Sequence, residues 1–299
     1  MGKLKIPISS FSNIVIIDKV TVDNYTFIPE GKGLIETIAQ DNNEKDMKLE
    51  EVKKFCALVT LLISEERKGI FYILPEEALF FTPSYGLDHK GQPVPIEIAV
   101  GSIETFLDSA HITEYFLLFK NFLSEKEDLL RAVQWYHLGN ISLDEINSII
   151  SYVISIEILA NLIKPTNFYP DVLLEGEIKI IQQAVESLKE IRKQTKERVI
   201  DRIQKILTEK SLKIKMELVK ERFTREEIEK LIKKAENLGL DKNLEKLFSQ
   251  IQSDRGKILH QKGGEIEKLR QKKEWLELFT RMALLKEITN YAHTTRKNN

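Results

Sequence analysis

One cysteine, Cys56, stands among 299 residues, which excludes a disulfide framework and any zinc site built on paired thiolates. Histidine is scarce as well, with 5 copies, and none falls in the His-Glu-x-x-His spacing of a helical zinc site. The chain has no Gly-x4-Gly-Lys-Ser/Thr phosphate cradle and no Gly-x-Ser-x-Gly elbow, which disfavours P-loop NTPase and serine hydrolase chemistry. No metal and no cofactor are expected. Long apolar runs are missing too. The longest, Phe55 to Ile63, is closed by Lys53-Lys54 and Glu65-Glu66-Arg67, well short of the roughly 20 residues a membrane span needs. The first residues, Met1-Gly-Lys-Leu-Lys-Ile-Pro, lack the apolar core and small-residue cleavage site of a secretory signal, so a cytoplasmic location is expected. Cys56 itself reads as core filler on a helix face.

What is present is enough chain for a sizeable core and two domains, with a net charge of only −1. The charge is unevenly spread. Residues 1–110 carry 11 basic and 17 acidic side chains, net −6, whereas residues 250–299 carry 11 and 6, net +5. A phosphate backbone is drawn to the basic end, although a solvated basic helix accounts for the same charge equally well.

The first 110 residues have strand chemistry in Asn13–Ile17, Tyr25–Ile28, Gly69–Leu74 and Val94–Val100, separated by Pro, Gly, Asn and Asp turns. Between them Leu49–Glu65 places Val52, Phe55, Cys56, Val59 and Ile63 on one helical face. From Ile112 the pattern is helical, with stretches at 112–138, 142–164, 172–207, 224–238 and 265–293. Gly139-Asn140 resembles a helix C-cap and Ser142 an N-cap with Glu145 three residues on. Lys164-Pro165 reads as a stop, Thr224 as an N-cap with Glu227, and Gly239 as a terminator. The expected fold is α+β: a small N-terminal mixed domain over residues 1–110, then an all-α helical bundle over 111–299.

Two stretches set an arginine a few residues before a histidine: Arg131-Ala-Val-Gln-Trp-Tyr-His137 and Arg255-Gly-Lys-Ile-Leu-His260. A positioned guanidinium and an imidazole suffice to cut RNA without a metal. In the first stretch Trp135 and Tyr136 point to aromatic packing for His137. The second has the better setting. Ser253-Asp254 reads as an N-cap and Gly263-Gly264 as the end of a short helix, so Arg255 falls in a first turn. Free backbone N–H groups there and its planar fork of donors suit a phosphate. Residues five apart on a helix point about 140° away from each other. One helix therefore does not aim both groups inward, but two copies meeting across a two-fold axis do, which predicts a homodimer with its site at the interface. Glu157 shares a helix side with Ile150, Val153 and Ile154. It is read either as a carboxylate on an apolar face that needs a cation, with Arg255 the candidate, or as a rim residue in water beside Asn161 and Lys164. His89 lies in a Gly-rich turn, His111 before a helix and His293 in a last turn; they do not assemble.

The helical half resembles the HEPN family (higher eukaryotes and prokaryotes nucleotide-binding), in the branch found C-terminal to unrelated N-terminal domains in ApeA-like defence proteins. The resemblance covers residues 112–295. It rests on the helix Ile149-Ile-Ser-Tyr-Val-Ile-Ser-Ile-Glu157-Ile-Leu, the long charged helical middle, and Arg255-x4-His260 followed by Gln-Lys-Gly-Gly and a closing helix. It implies a metal-independent endoribonuclease, active as a homodimer and acting as a toxin or antiphage defence effector with an antitoxin or regulatory partner. His260 would be general acid or base on the ribose 2′-OH and the leaving 5′-oxygen. Arg255 would stabilise the crowded phosphorus and leave a 2′,3′-cyclic phosphate. Glu157 completes the expected catalytic set, with Lys257 and Lys262 as RNA contacts. Gly256 stands where many members carry a polar residue after the arginine, and Lys262 where some toxin members carry a tyrosine. Gly256 motivates the alternative reading, a non-catalytic HEPN module that binds RNA or a nucleotide or serves as a dimerisation scaffold. The first 110 residues match no family by inspection and are read as a domain of unknown role, a candidate sensor.

Overall fold

The computed structural model describes residues 2–9, 12–66, 71–75, 85–87, 93–95, 104–163, 183, 212–259 and 266–298. It shows a small antiparallel sheet with a helix on it, followed by helices, an α+β chain with a helical C-terminal part. The chain divides into two compact units, Met1–Ile141 and Ser142–Asn299.

The first unit runs β1 (Gly2–Pro7), β2 (Ile14–Ile16), β3 (Val20–Val22), β4 (Tyr25–Ile28), β5 (Leu34–Ala39), α1 (Asn42–Glu66), β6 (Tyr85–Leu87), β7 (Pro93–Pro95), β8 (Thr105–Leu107), α2 (Ser109–Glu125) and α3 (Glu127–Ile141). Strands pair antiparallel in the order β1-β5-β4-β3, while β2 pairs parallel with β8 and β6 antiparallel with β7. The register sets Ile6, Ile35, Phe27 and Val20 opposite one another across the four strands. Because side chains alternate faces, Ile6, Ile35 and Phe27 share the buried side. Phe55 of α1 and Phe116 and Phe119 of α2 pack there, with ring centroids 5.5 Å apart for Phe27–Phe55 and 5.9 Å for Phe27–Phe116. Glu36, on the outer face, is held by Lys3 at 2.6 Å and Lys5 at 3.5 Å, and the Lys3 ammonium beside it lowers its carboxyl pKa. Cys56 is fully buried, and burial pushes its thiol pKa up, as suits core filler.

The sequence pattern finds β2, β4 and α1 but not β1, β3, β5 or β8. Residues 71–74, expected as a strand, form no ladder. The Leu74 carbonyl accepts the Ser9 N–H at 2.7 Å, and side chains take up much of the rest: Ile73 N–H donates to Thr60 Oγ1 at 3.0 Å, Tyr72 N–H to Asn13 Oδ1 at 2.8 Å, and Ser12 Oγ donates to the Tyr72 carbonyl at 2.8 Å. The expected C-cap at Gly139-Asn140 lies inside α3, which runs on to Ile141, and the stretch 112–138 is broken at Lys126 into two helices. Both helices pack with α1, and α2 also with the sheet, so they belong to the first unit although they lie past residue 110.

The second unit holds α4 (Glu145–Leu162), α5 (Leu212–Lys220), α6 (Arg225–Asn237), α7 (Leu244–Leu259) and α8 (Ile266–Asn298) among the described residues. Most of the expected helix 172–207 lies outside them. The α4 N-cap is Asp144, whose Oδ1 accepts from Ile146 N–H at 2.8 Å, rather than Ser142. The α6 signals hold in full. Thr224 and Glu227 form a reciprocal capping box, and Gly239, at φ +68, ends the helix while Leu240 N–H bonds back to the Ala235 carbonyl at 2.8 Å.

Helix α4 packs against α5 and α8, α5 against α7, and α6 against α8. Among the described residues α4 is the one helix long and apolar enough to cross a membrane, with mean hydropathy 1.3, yet 56% of that window is buried inside the protein. The bundle core centres on Trp275. Its ring stacks on Phe279 at 5.2 Å and lies 6.0 Å from Phe248, and its Nε1–H donates to the Leu231 carbonyl of α6 at 3.0 Å. Replacing Trp275 with Ala is expected to cost about 3–5 kcal/mol in urea unfolding. Trp275→Phe, which keeps most of the bulk but loses the N–H, is expected to cost less; equal costs would dismiss the hydrogen bond as a contributor.

Candidate functional site

Helix α7 begins at Leu244. Asn243 Oδ1 accepts from the backbone N–H groups of Glu245 at 3.0 Å and Lys246 at 3.2 Å, an N-cap in the usual pattern. Leu244, Leu247, Phe248 and Ile251, spaced i, i+3, i+4, i+7, are all buried and carry the helix onward through residue 259. This corrects the sequence reading of Ser253-Asp254 as a cap. Both residues are inside α7, and Arg255 is its twelfth residue rather than a member of a first turn. Its backbone N–H is therefore an interior donor, and the free N–H groups of a helix start are not available beside it.

The side chains of Arg255 and Lys257, and His260 and Lys262 altogether, lie outside the described residues, as does His89. The residues around Arg255 are described. Gln252 Oε1, on the turn before it, accepts the Lys213 N–H in the first turn described for α5 at 2.9 Å. Asp254, its immediate neighbour, pairs with Lys272 of α8. Two residues further along α5, Lys215 Nζ lies 3.6 Å from Glu157 Oε1 on α4. Two polar contacts thus meet on α5, Glu157 of α4 with Lys215 and Gln252 of α7 with the Lys213 backbone, and Gln252 lies three residues before Arg255.

Glu157 falls between its two sequence readings. Its side chain is 20% exposed and has a described cation, Lys215, itself 18% exposed. Ile150 and Ile154 on the same strip of α4 are half-buried, whereas Tyr152, Ile156 and Leu159 fill the core. A half-buried carboxylate on such a strip needs a cation, and α5 supplies one.

The earlier pair is not brought together. Arg131 is 59% exposed and pairs with Asp128 at 3.3 Å, while His137 is buried and its Nδ1 has no hydrogen-bond partner. Burial holds the His137 imidazole well below its ordinary value, at about 4. His111 sits in the first turn of α2, not before it, with Nδ1 2.8 Å from the N-cap carboxylate of Asp108. Among the described residues no group of three or more His, Cys, Asp or Glu is gathered as for a metal.

Sequence reasoning missed Lys215, Gln252 and Lys272, because a residue that links two helices shows no local pattern. No family model, no curated protein and no solved structure matches the chain.

The buried His137 makes stability depend on pH. With its folded pKa near 4 and its ordinary value at 6.5, the unfolded chain binds the extra proton first as pH falls. The contribution is intact above pH 6.5 and is lost progressively toward pH 4. Between about pH 7.5 and about pH 5 the stability of the wild type is expected to drop about 2 kcal/mol further than that of His137→Leu. Equal pH slopes in urea unfolding would mean that the imidazole is solvated in the folded state.

Proposed function

We propose that the chain is a metal-independent endoribonuclease of HEPN type that works as a homodimer. The observation that supports it best is that Glu157 and Gln252, the latter three residues before Arg255, both contact neighbouring residues of α5, although they are far apart in sequence. In this reading His260 takes the proton of a ribose 2′-OH, and the freed oxygen attacks phosphorus. The bond to the 5′-oxygen breaks, and that oxygen leaves with the proton that His260 took up. The products are a 2′,3′-cyclic phosphate and a 5′-hydroxyl. Arg255 offsets the charge that builds on the non-bridging oxygens. Glu157 holds Lys215 in place, and Lys257 and Lys262 meet the RNA backbone. Residues 1–110, with their acidic balance, serve as a sensor in a toxin or defence effector that answers to a regulatory partner.

A second reading, an RNA-binding module without catalysis, draws on the place of Arg255 inside α7. There it acts without the free N–H groups that a helix start would lend to phosphate.

Single-stranded RNA incubated with the protein in EDTA is expected to be cut to cyclic-phosphate ends. His260→Ala should lower the rate about 10²–10⁴-fold, and Arg255→Ala on the order of 10²-fold. Wild-type protein that leaves the RNA intact, or an unaltered rate in His260→Ala, would remove the nuclease reading, and RNA bound but uncut would establish the second one.

A further inference from the structure

At the C-terminal end of α6, beside the second turn of α8, an open groove of about 430 Å³ is lined by Asn237, Leu238, Gly239, Arg270, Gln271 and Glu274. We propose that this groove is a subsite for one nucleotide unit of single-stranded RNA, with Arg270 on its phosphate and the Asn237 and Gln271 amides on its base. The inference rests on the RNA reading above and adds residues that the cleavage reading does not use.

Three features of the lining carry it. The carboxylate is already occupied, since Glu274 accepts Lys234 Nζ at 3.3 Å, so it does not repel an incoming phosphate with a full unpaired charge. The cation is free. Arg270 is exposed and, among the described residues, makes no ion pair or hydrogen bond, whereas Lys272, two residues on, is committed to Asp254. The amides of Asn237 and Gln271 are likewise unengaged among the described residues, so both keep a donor pair and an acceptor to offer. An unpaired guanidinium beside two unpaired amides, in a groove within the roughly 300–1,000 Å³ of small-ligand sites, has the donor set for a phosphate and a base edge. Leu238 gives an apolar surface for the base, and nothing lies within 4 Å of where a Cβ on Gly239 would sit, which leaves the backbone open to close approach.

Arg270 is the fifth residue of α8, the helix that follows the segment carrying His260 and Lys262. Gly239 closes α6 through backbone bonds alone, so no lining side chain is spent on the cap.

The test measures binding separately from cleavage. A fluorescein-labelled single-stranded RNA of mixed sequence is titrated by anisotropy into full-length His260→Ala protein. The same titration is run with that protein carrying Arg270→Gln, Gln271→Ala or, as a control for charge alone, Lys230→Gln on the exposed side of α6. Arg270→Gln is expected to weaken binding about tenfold and to lower the slope of log affinity against log salt by about one phosphate contact. Gln271→Ala should weaken binding by less without changing that slope, and Lys230→Gln should leave both unchanged. Uridine monophosphate should displace the RNA, and inorganic phosphate should not do so at the same concentration. Unchanged binding in Arg270→Gln, an equal loss in Lys230→Gln, or equal displacement by inorganic phosphate overturns the subsite. RNA bound through Arg270 but left uncut by wild-type protein in EDTA keeps the subsite and overturns only the nuclease. A parent protein that binds no RNA overturns both.

Discussion

A buried indole needs a partner for its N–H, and the helical unit is organised around meeting that need. Trp275 reaches the Leu231 carbonyl of α6 at 3.0 Å while its rings fill the space between Phe248 of α7 and Phe279 of α8. Leaving the indole unpaired would cost a desolvated donor, and moving it would open a void among rings in contact. Both penalties act against any shift of α6 or α7 along α8. The far end of α7, where Arg255 lies, inherits its place from this contact and from the apolar row that runs back to Leu244.

The electrostatic character of that end follows from its direction. Arg255 stands toward the C-terminal end of α7, where the helix dipole favours cations and offers nothing to anions. Any attraction for phosphate must come from side chains, so the charge state of neighbouring acids matters. Asp254 is held by Lys272, Glu157 by Lys215, and Glu274 by Lys234. Each of these pairs joins two helices, α7 to α8, α4 to α5 and α6 to α8, while covering carboxylates that would oppose a polyanion.

What could be read from the sequence divides by the range of the interaction. Local signals were legible. Thr224 and Glu227 cap α6 and Gly239 ends it, because cap chemistry is decided within one turn. The α+β order and the amphipathic face of α1 were legible from periodicity for the same reason. Strands were read unevenly, and length alone does not account for it: three-residue β2 was legible, whereas three-residue β3 and β8 and six-residue β1 and β5 were not. Ser253-Asp254 shows the opposite error. Their cap-like chemistry is real, but the buried Leu247, Phe248 and Ile251 before them already committed the backbone to helix, and packing outweighs the local preference. At the site, Arg255 and Glu157 could be singled out by residue type, whereas the bridging Lys215 and Gln252 could not, because their partners are remote in sequence.

At the rim of the N-terminal sheet, β1 is a terminal strand of the described four, and its outward side chains are Lys3 and Lys5, both on Glu36 of β5. In general, an open row of backbone groups on a terminal strand invites a further chain to join it. Two ammonium groups standing beside that row would have to give up water before another strand could dock. The same lysines that neutralise Glu36 within the fold therefore add a desolvation cost to any strand that would join β1.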